Sequence, residues 1–149
     1  MKPKGPPVGR ALALAAKSVS RAFNDALAAE EGGSAPAWLI LDALVAGEPR
    51  TQTELARAVG IEGPTLTRHL DGLERAGLVE RTPGYGDRRA TRVELTDAGR
   101  ALHGRLLARV IDFDRRLRAG LGPDELGAFV AVLGRLEANV SGAGAPEPR

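Results

Sequence analysis

At 149 residues, with 43% hydrophobic and 27% charged residues and a net charge of +2, the chain has the length and composition of one globular domain with a single core. The absence of Cys excludes disulfides, thiolate metal sites and thiol redox sensing. The two histidines, His69 and His103, lie far apart in sequence, so neither a metal nor a cofactor is expected.

No apolar run reaches the ~18 residues a membrane span needs, and the start MKPKGPPVGR lacks the apolar segment of a signal peptide. The expectation is a cytoplasmic protein with no membrane partner. Aromatic residues at 3% leave the core to Leu, Val, Ile and Ala, a composition that favours packed helices. The basic residues are almost all arginine. That enrichment suits phosphate and guanine recognition, and it also follows from G+C-rich codon usage.

The ends, 1–9 and 142–149, are rich in Pro, Gly and Ala without apolar periodicity and read as disordered tails. From Arg10 to Ala29, Leu12, Ala16, Val19, Phe23 and Ala26 or Leu27 follow the ~3.6-residue repeat of an amphipathic helix, which EEGGSAP ends. AWLILDALVAG reads as a short, largely buried helix after Pro36 that stops at Gly47, with Trp38 at its entrance. Thr51 and Glu54 have capping-box spacing and start the next helix, which Gly60 ends. EGPTLTRHLDGLERAG follows at once, with Pro64 early and Gly77 as the stop.

LVERT and TRVEL alternate like strands around PGYGDRRA, whose Pro, Gly and Asp are turn chemistry, and so predict a hairpin. Thr96 can cap a long helix with Asp97 in its first turn and Leu102, Leu106, Val110, Phe113 and Leu117 along it. Pro123 opens a last helix with Leu126, Phe129 or Val130, Leu133, Leu136 and Val140 on one stripe.

Helix, tight turn, helix and hairpin is the order of a winged helix-turn-helix. The fold class expected is therefore mainly α with a small two- or three-stranded antiparallel wing. On a wheel of about 100° per residue, Leu66, Leu70 and Leu73 share the core-facing arc of the second helix. Arg68 and Arg75 lie opposite, with Thr67 and Asp71 on one flank and Thr65 and Gly72 on the other. Hydroxyls and guanidinium groups near a helix N-terminus suit phosphate and base-edge contacts, although the same residues also suit a solvated surface. The hairpin tip adds Arg88 and Arg89, with Arg92 beyond and Asp87 to brace them. Such arginines can read a narrow groove by its potential, or merely decorate a turn.

The chain resembles the MarR transcriptional regulators from the first helix to about Ser141. The resemblance rests on TELARAVGI as the first helix of the DNA-binding pair and PTLTRHLDGLERAGLVER as the recognition helix running into the wing. DRRATRVELTDAG matches the Asp-x-Arg wing that ends in Leu-Thr-x-x-Gly. It implies that Thr67 and Arg68 contact the major groove, that Arg89 enters the minor groove and that Asp87 positions the wing. Thr65, Gln52 and Arg88 are implied as backbone contacts, and Arg75 joins the DNA-facing set from its place on the wheel.

Two positions depart from the family pattern. Glu62 stands where a small capping residue is usual, leaving Gly63 as a possible cap, and Gly72 stands where many members carry a DNA-contacting arginine. Family members are homodimers joined by their terminal helices, which implies that 10–35 and 97–141 are dimerisation helices and 36–96 the DNA-binding lobe of a single domain, 10–141. An intramolecular bundle is the alternative use of those apolar stripes. The family also implies a small aromatic or phenolic effector, for which Phe23, Trp38 and His103 are the candidate contacts, although buried aromatics in a helical protein are more often core than ligand walls.

The partners expected are double-stranded DNA, a second copy of the chain and such an effector. The function expected is a DNA-binding regulator, a repressor released by ligand. The alternative is a winged-helix module for ligand sensing or protein contact without sequence-specific DNA binding. No phosphate loop, nucleophile elbow or paired-carboxylate pattern suggests an enzyme.

Overall fold

Residues 4–48, 50–84 and 90–142 are described by a computed structural model. Among them six helices and three strands follow in the order α1 (Val8–Ala28), α2 (Ala35–Gly47), β1 (Arg50–Thr51), α3 (Gln52–Val59), α4 (Gly63–Arg75), β2 (Val79–Thr82), β3 (Arg92–Leu95), α5 (Asp97–Leu117) and α6 (Pro123–Val140). The strands form one antiparallel sheet in the order β1-β3-β2. The mainly helical fold with a small antiparallel wing is the one the sequence predicts. Packing divides the chain into two compact units, Met1–Phe113 and Asp114–Arg149.

Local chemistry explains the element boundaries. Ser34 caps α2 by accepting a hydrogen bond from the Ala37 amide at 3.1 Å, so the helix starts just before the point where Pro36 suggests it. Thr51 caps α3 by accepting from the Glu54 amide at 3.2 Å. Gly60, with φ +68°, takes the left-handed conformation that ends a helix of eight residues and lets α4 begin three residues later. At the start of α4, Gly63 is not the cap. Glu62 holds the N-cap position without a side-chain cap bond, and its carbonyl accepts the first helical hydrogen bond from Leu66 at 2.9 Å.

Gly77, with φ +72°, closes α4 in a Schellman arrangement: its amide donates to the Glu74 carbonyl and the Leu78 amide to the Leu73 carbonyl, both at 2.9 Å. The chain therefore leaves α4 in a fixed direction and enters β2 at once. β2 pairs with β3 in the register Val79 with Leu95 and Arg81 with Val93, which turns Val79 and Val93 inward. β1 holds the other edge of β3, pairing Arg50 with Val93. Two residues are too short to show alternation, which is why the sequence predicts no strand there.

Thr96 joins three elements at one point. Its hydroxyl donates to the Gly77 carbonyl at 2.6 Å and accepts from the Gly99 amide at 3.0 Å, so the residue that caps α5 also grips the end of α4. Glu48 adds a second tie, accepting from the Leu95 amide at 3.2 Å and from Arg100 at 2.9 Å.

Leu27, Ile40, Leu41, Leu44, Leu55, Leu66, Leu70, Val79, Val93, Leu102 and Leu106 are fully buried, so one aliphatic core is shared by α1 to α5 and the sheet. Each such side chain contributes roughly 1.5–3 kcal/mol by leaving water. α1 enters this core only through its last turns. It begins at Val8, two residues before Arg10, and every residue from Val8 to Ala22 is exposed. Glu30, just after it, binds Arg109 of α5 at 2.8 Å. In the second unit α6 buries none of its residues fully, and Phe129, Val130 and Val132 are exposed.

Candidate nucleic-acid interface

With Leu66, Leu70 and Leu73 buried, α4 presents its opposite side to solvent. Arg68, Gly72 and Arg75 are exposed, and Thr65 and Thr67 are half-buried beside them. Arg68 has no hydrogen bond or ion pair among the described residues, which leaves its five donors available to an incoming acceptor. Arg75 Nε donates to the Asp71 carbonyl at 3.3 Å, one turn back along the same helix.

Two of the predicted residues meet. Gln52 Nε2, at the first turn of α3, donates to Thr67 Oγ1 at 2.7 Å, and the Thr67 hydroxyl donates in turn to the Gly63 carbonyl at 3.0 Å. The Gln52 side chain thus spans the gap between the two helices and braces α4 near its N-terminus.

A residue that sequence reasoning missed governs the other end of α4. Arg81, on β2, reaches Asp71 Oδ1 at 2.5 Å and Glu74 Oε1 at 3.3 Å, and its backbone amide donates to Glu74 Oε2 at 3.0 Å. The hydrogen bonds from the Arg81 guanidinium and then from its amide hold the Glu74 carboxyl below its usual range. The same bonds, to Glu74 first and Asp71 second, hold Arg81 still more firmly protonated. The two carboxylates share one cation, so the negative charge that α4 offers a polyanion at this end is one rather than two. Asp71 belongs to this cluster rather than to an open flank. The sequence shows an arginine at an inward-alternating position of β2 and two acidic residues three positions apart on α4, but not that they meet.

Gly72 opens one side of α4. A Cβ placed there would meet nothing within 4 Å, so no steric reason requires glycine. Beside it lies a cleft of about 260 Å³ lined by Arg68, His69, Gly72 and Leu73 of α4 and by Ser34 and Ala37 at the start of α2. The half-buried His69 is one wall of it.

The remaining predicted residues are distributed unevenly. Asp87, Arg88 and Arg89 lie outside the described residues. Arg92, just past them in β3, is half-buried opposite Thr51 and Thr82. Trp38 and His103 come together, their rings stacked at 5.1 Å and 10°, with His103 Nε2 2.9 Å from Asp42 Oδ1. Phe23 instead packs on Phe113, ring centres 5.3 Å apart. Trp38 is part of the buried core and Phe23 packs against it. Among the described residues no group of three metal-ligating side chains occurs, and no helix is long and apolar enough to cross a membrane.

A sequence profile of the MarR family matches residues 32–90, from just before α2 to just before β3. A transcriptional regulator of the MarR family from Silicibacter pomeroyi is 33% identical over 94% of both chains and superposes with a TM-score of 0.69. The transcriptional repressor CouR, solved bound to a 23-mer DNA duplex, is 33% identical, covers 88% of this chain and 92% of its own, and gives a TM-score of 0.79. A mutant MarR from E. coli, complexed with operator DNA, is 27% identical over 87% of this chain and 93% of its own, also with a TM-score of 0.79.

Proposed function

The chain belongs to the MarR family of transcriptional regulators, and from that premise we propose that it is a sequence-specific DNA-binding repressor that reads a pseudo-palindromic operator as a homodimer. The observation that carries this reading is the outer face of α4, where Arg68, Thr65 and Thr67 are presented while Arg81 pairs with both carboxylates of the same helix and offsets one of their two charges. Such a face suits the major groove, where an arginine fork can take both acceptors of a guanine and hydroxyls can meet base edges. Arg75, nearer the C-terminus of the helix, is assigned to the phosphate backbone. Arg89 is assigned to the minor groove, Arg88 to a phosphate and Asp87 to bracing the wing.

The dimer is supported by the apolar residues that the single chain leaves in water. Leu12, Leu14 and Val19 of α1 and Phe129, Val130 and Val132 of α6 are exposed, and a second copy offers them an apolar partner. Two-fold symmetry then sets two α4 helices about one turn of DNA apart. Release by a small aromatic or phenolic effector is the third part of the proposal. Trp38, His103 and Phe23 are its candidate contacts, since movement of α5, which carries His103 and begins directly after β3, would carry the wing with it. Regulation, not catalysis, is the activity.

The test is retardation of duplex DNA from the chain's own upstream region. Retention against excess unrelated competitor, with affinity falling steeply as salt rises, is the expected result. Binding that unrelated duplex abolishes equally well would leave a winged-helix module without sequence-specific recognition.

A further inference from the structure

The contact between α3 and α4 limits what Thr67 can say to a base. A threonine hydroxyl has one proton and two lone pairs. Its proton goes to the Gly63 carbonyl at 3.0 Å, and one lone pair receives Gln52 Nε2 at 2.7 Å. Turning the Gln52 amide over would set its oxygen and the Gly63 carbonyl against a single hydroxyl proton, leaving one acceptor facing another lone pair. Hydrogen-bond satisfaction therefore fixes the amide with its nitrogen toward Thr67. One lone pair of Oγ1 remains, and Thr67 is half-buried on the flank of the exposed face beside Arg68.

We propose that Gln52 is a positioning residue that makes Thr67 an acceptor-only reader, so that α4 selects a base carrying an exocyclic amine, adenine or cytosine, at the position Thr67 faces. The inference rests on the DNA-binding reading above. In the major groove adenine offers its N6 amine and cytosine its N4 amine, whereas guanine and thymine present only acceptors on the same edge, apart from the thymine methyl. A hydroxyl whose proton is committed within its own helix gains nothing from those acceptors, nor from a phosphate oxygen. Gln52 is thereby reassigned from a backbone contact to a brace. Its bond closes the direction into which the hydroxyl would otherwise swing to free its proton, and it does so across two helices whose relative placement is fixed by the Gly60 turn.

The experiment is binding-site selection from a randomised duplex library with the full-length protein, run in parallel on wild type, Thr67→Val, Thr67→Ser and Gln52→Leu. Wild type should show one position in each half-site where adenine or cytosine is favoured over guanine or thymine by about three- to tenfold, the range of one hydrogen bond. Thr67→Val should erase that preference alone, and Thr67→Ser should keep it. Gln52→Leu should shrink it towards parity, with the preferences at other positions unchanged, which also shows that the variant is folded. Guanine or thymine favoured at the Thr67-dependent position would overturn the proposal, as would an undiminished preference in Gln52→Leu. Failure of the wild-type protein to enrich any sequence would sink the DNA-binding reading itself, and would be visible before any variant is compared.

Discussion

The winged segment from α2 to β3 and the terminal helices α1 and α6 use apolar residues in opposite ways. The first buries most of its leucines and valines within one chain, Leu41, Leu55, Leu66, Leu70, Val79 and Val93 fully, and leaves Leu39 and Val45 of α2 exposed. The second leaves comparable side chains in water, Val130 at 65% exposure among them. The difference teaches where stability and assembly are to be sought. The wing and its helices are complete at the level of a single chain, and the terminal helices are the part that association would finish.

The largest effect expected is in the core. Leu70→Ala should lower the unfolding free energy by about 2–5 kcal/mol in denaturant titration, whereas Leu12→Ala, at an exposed position of α1, should change the unfolding of dilute protein by no more than about 0.5 kcal/mol. Equal losses at both sites would erase the contrast between the regions. Next in size is Val130→Glu on α6. A charge buried without a partner at the proposed dimer contact should weaken association by roughly 30-fold or more in sedimentation equilibrium, while the helical circular dichroism stays the same.

Two changes on α4 sharpen the account of the winged segment. Arg68→Ala should cost about 1–3 kcal/mol on the operator and relax its sequence preference, with little change on unrelated duplex. Gly72→Arg places a cation where the structure has open space, and should steepen the salt dependence of binding by about 0.9 in logarithmic slope. An unchanged slope would mean that this side of α4 faces away from the phosphates.

The smallest effect is in pH. Glu74 has a folded pKa below its ordinary value of 4.5, so its contribution is fully present above pH 4.5 and is lost as pH falls through the lower folded value. Because the pair is at the surface the change is modest. Urea melts of wild type and Arg81→Met, compared between pH 6 and pH 3, should differ above pH 4.5 and draw together as pH falls through the lower folded value. Parallel curves would show that the contact adds nothing in solution.

What the sequence made legible is local. The repeat of Leu66, Leu70 and Leu73, the Thr51 cap and the Gly60 turn each act within a few residues, so pattern and propensity find them. The features that escaped depend on partners far along the chain or on lengths too short to show a period. β1 has two residues and exists because β3 offers it an edge. Arg81 meets Asp71 ten positions away, and Gln52 meets Thr67 across fifteen. Each residue was visible as polar and surface-prone, but nothing in its own neighbourhood said which polar group it would meet. Gln52 and Thr67 were both singled out for DNA, yet the bond between them, which narrows what each can do, appears only when α3 and α4 are packed.

The central claim is that two copies of α4, set by a two-fold dimer, read adjacent major grooves. Hydroxyl-radical footprinting on a duplex selected by the protein tests it most directly. The account predicts two protected patches related by a dyad, with centres about one helical turn apart. A single protected patch, or uniform protection along the duplex, would contradict it.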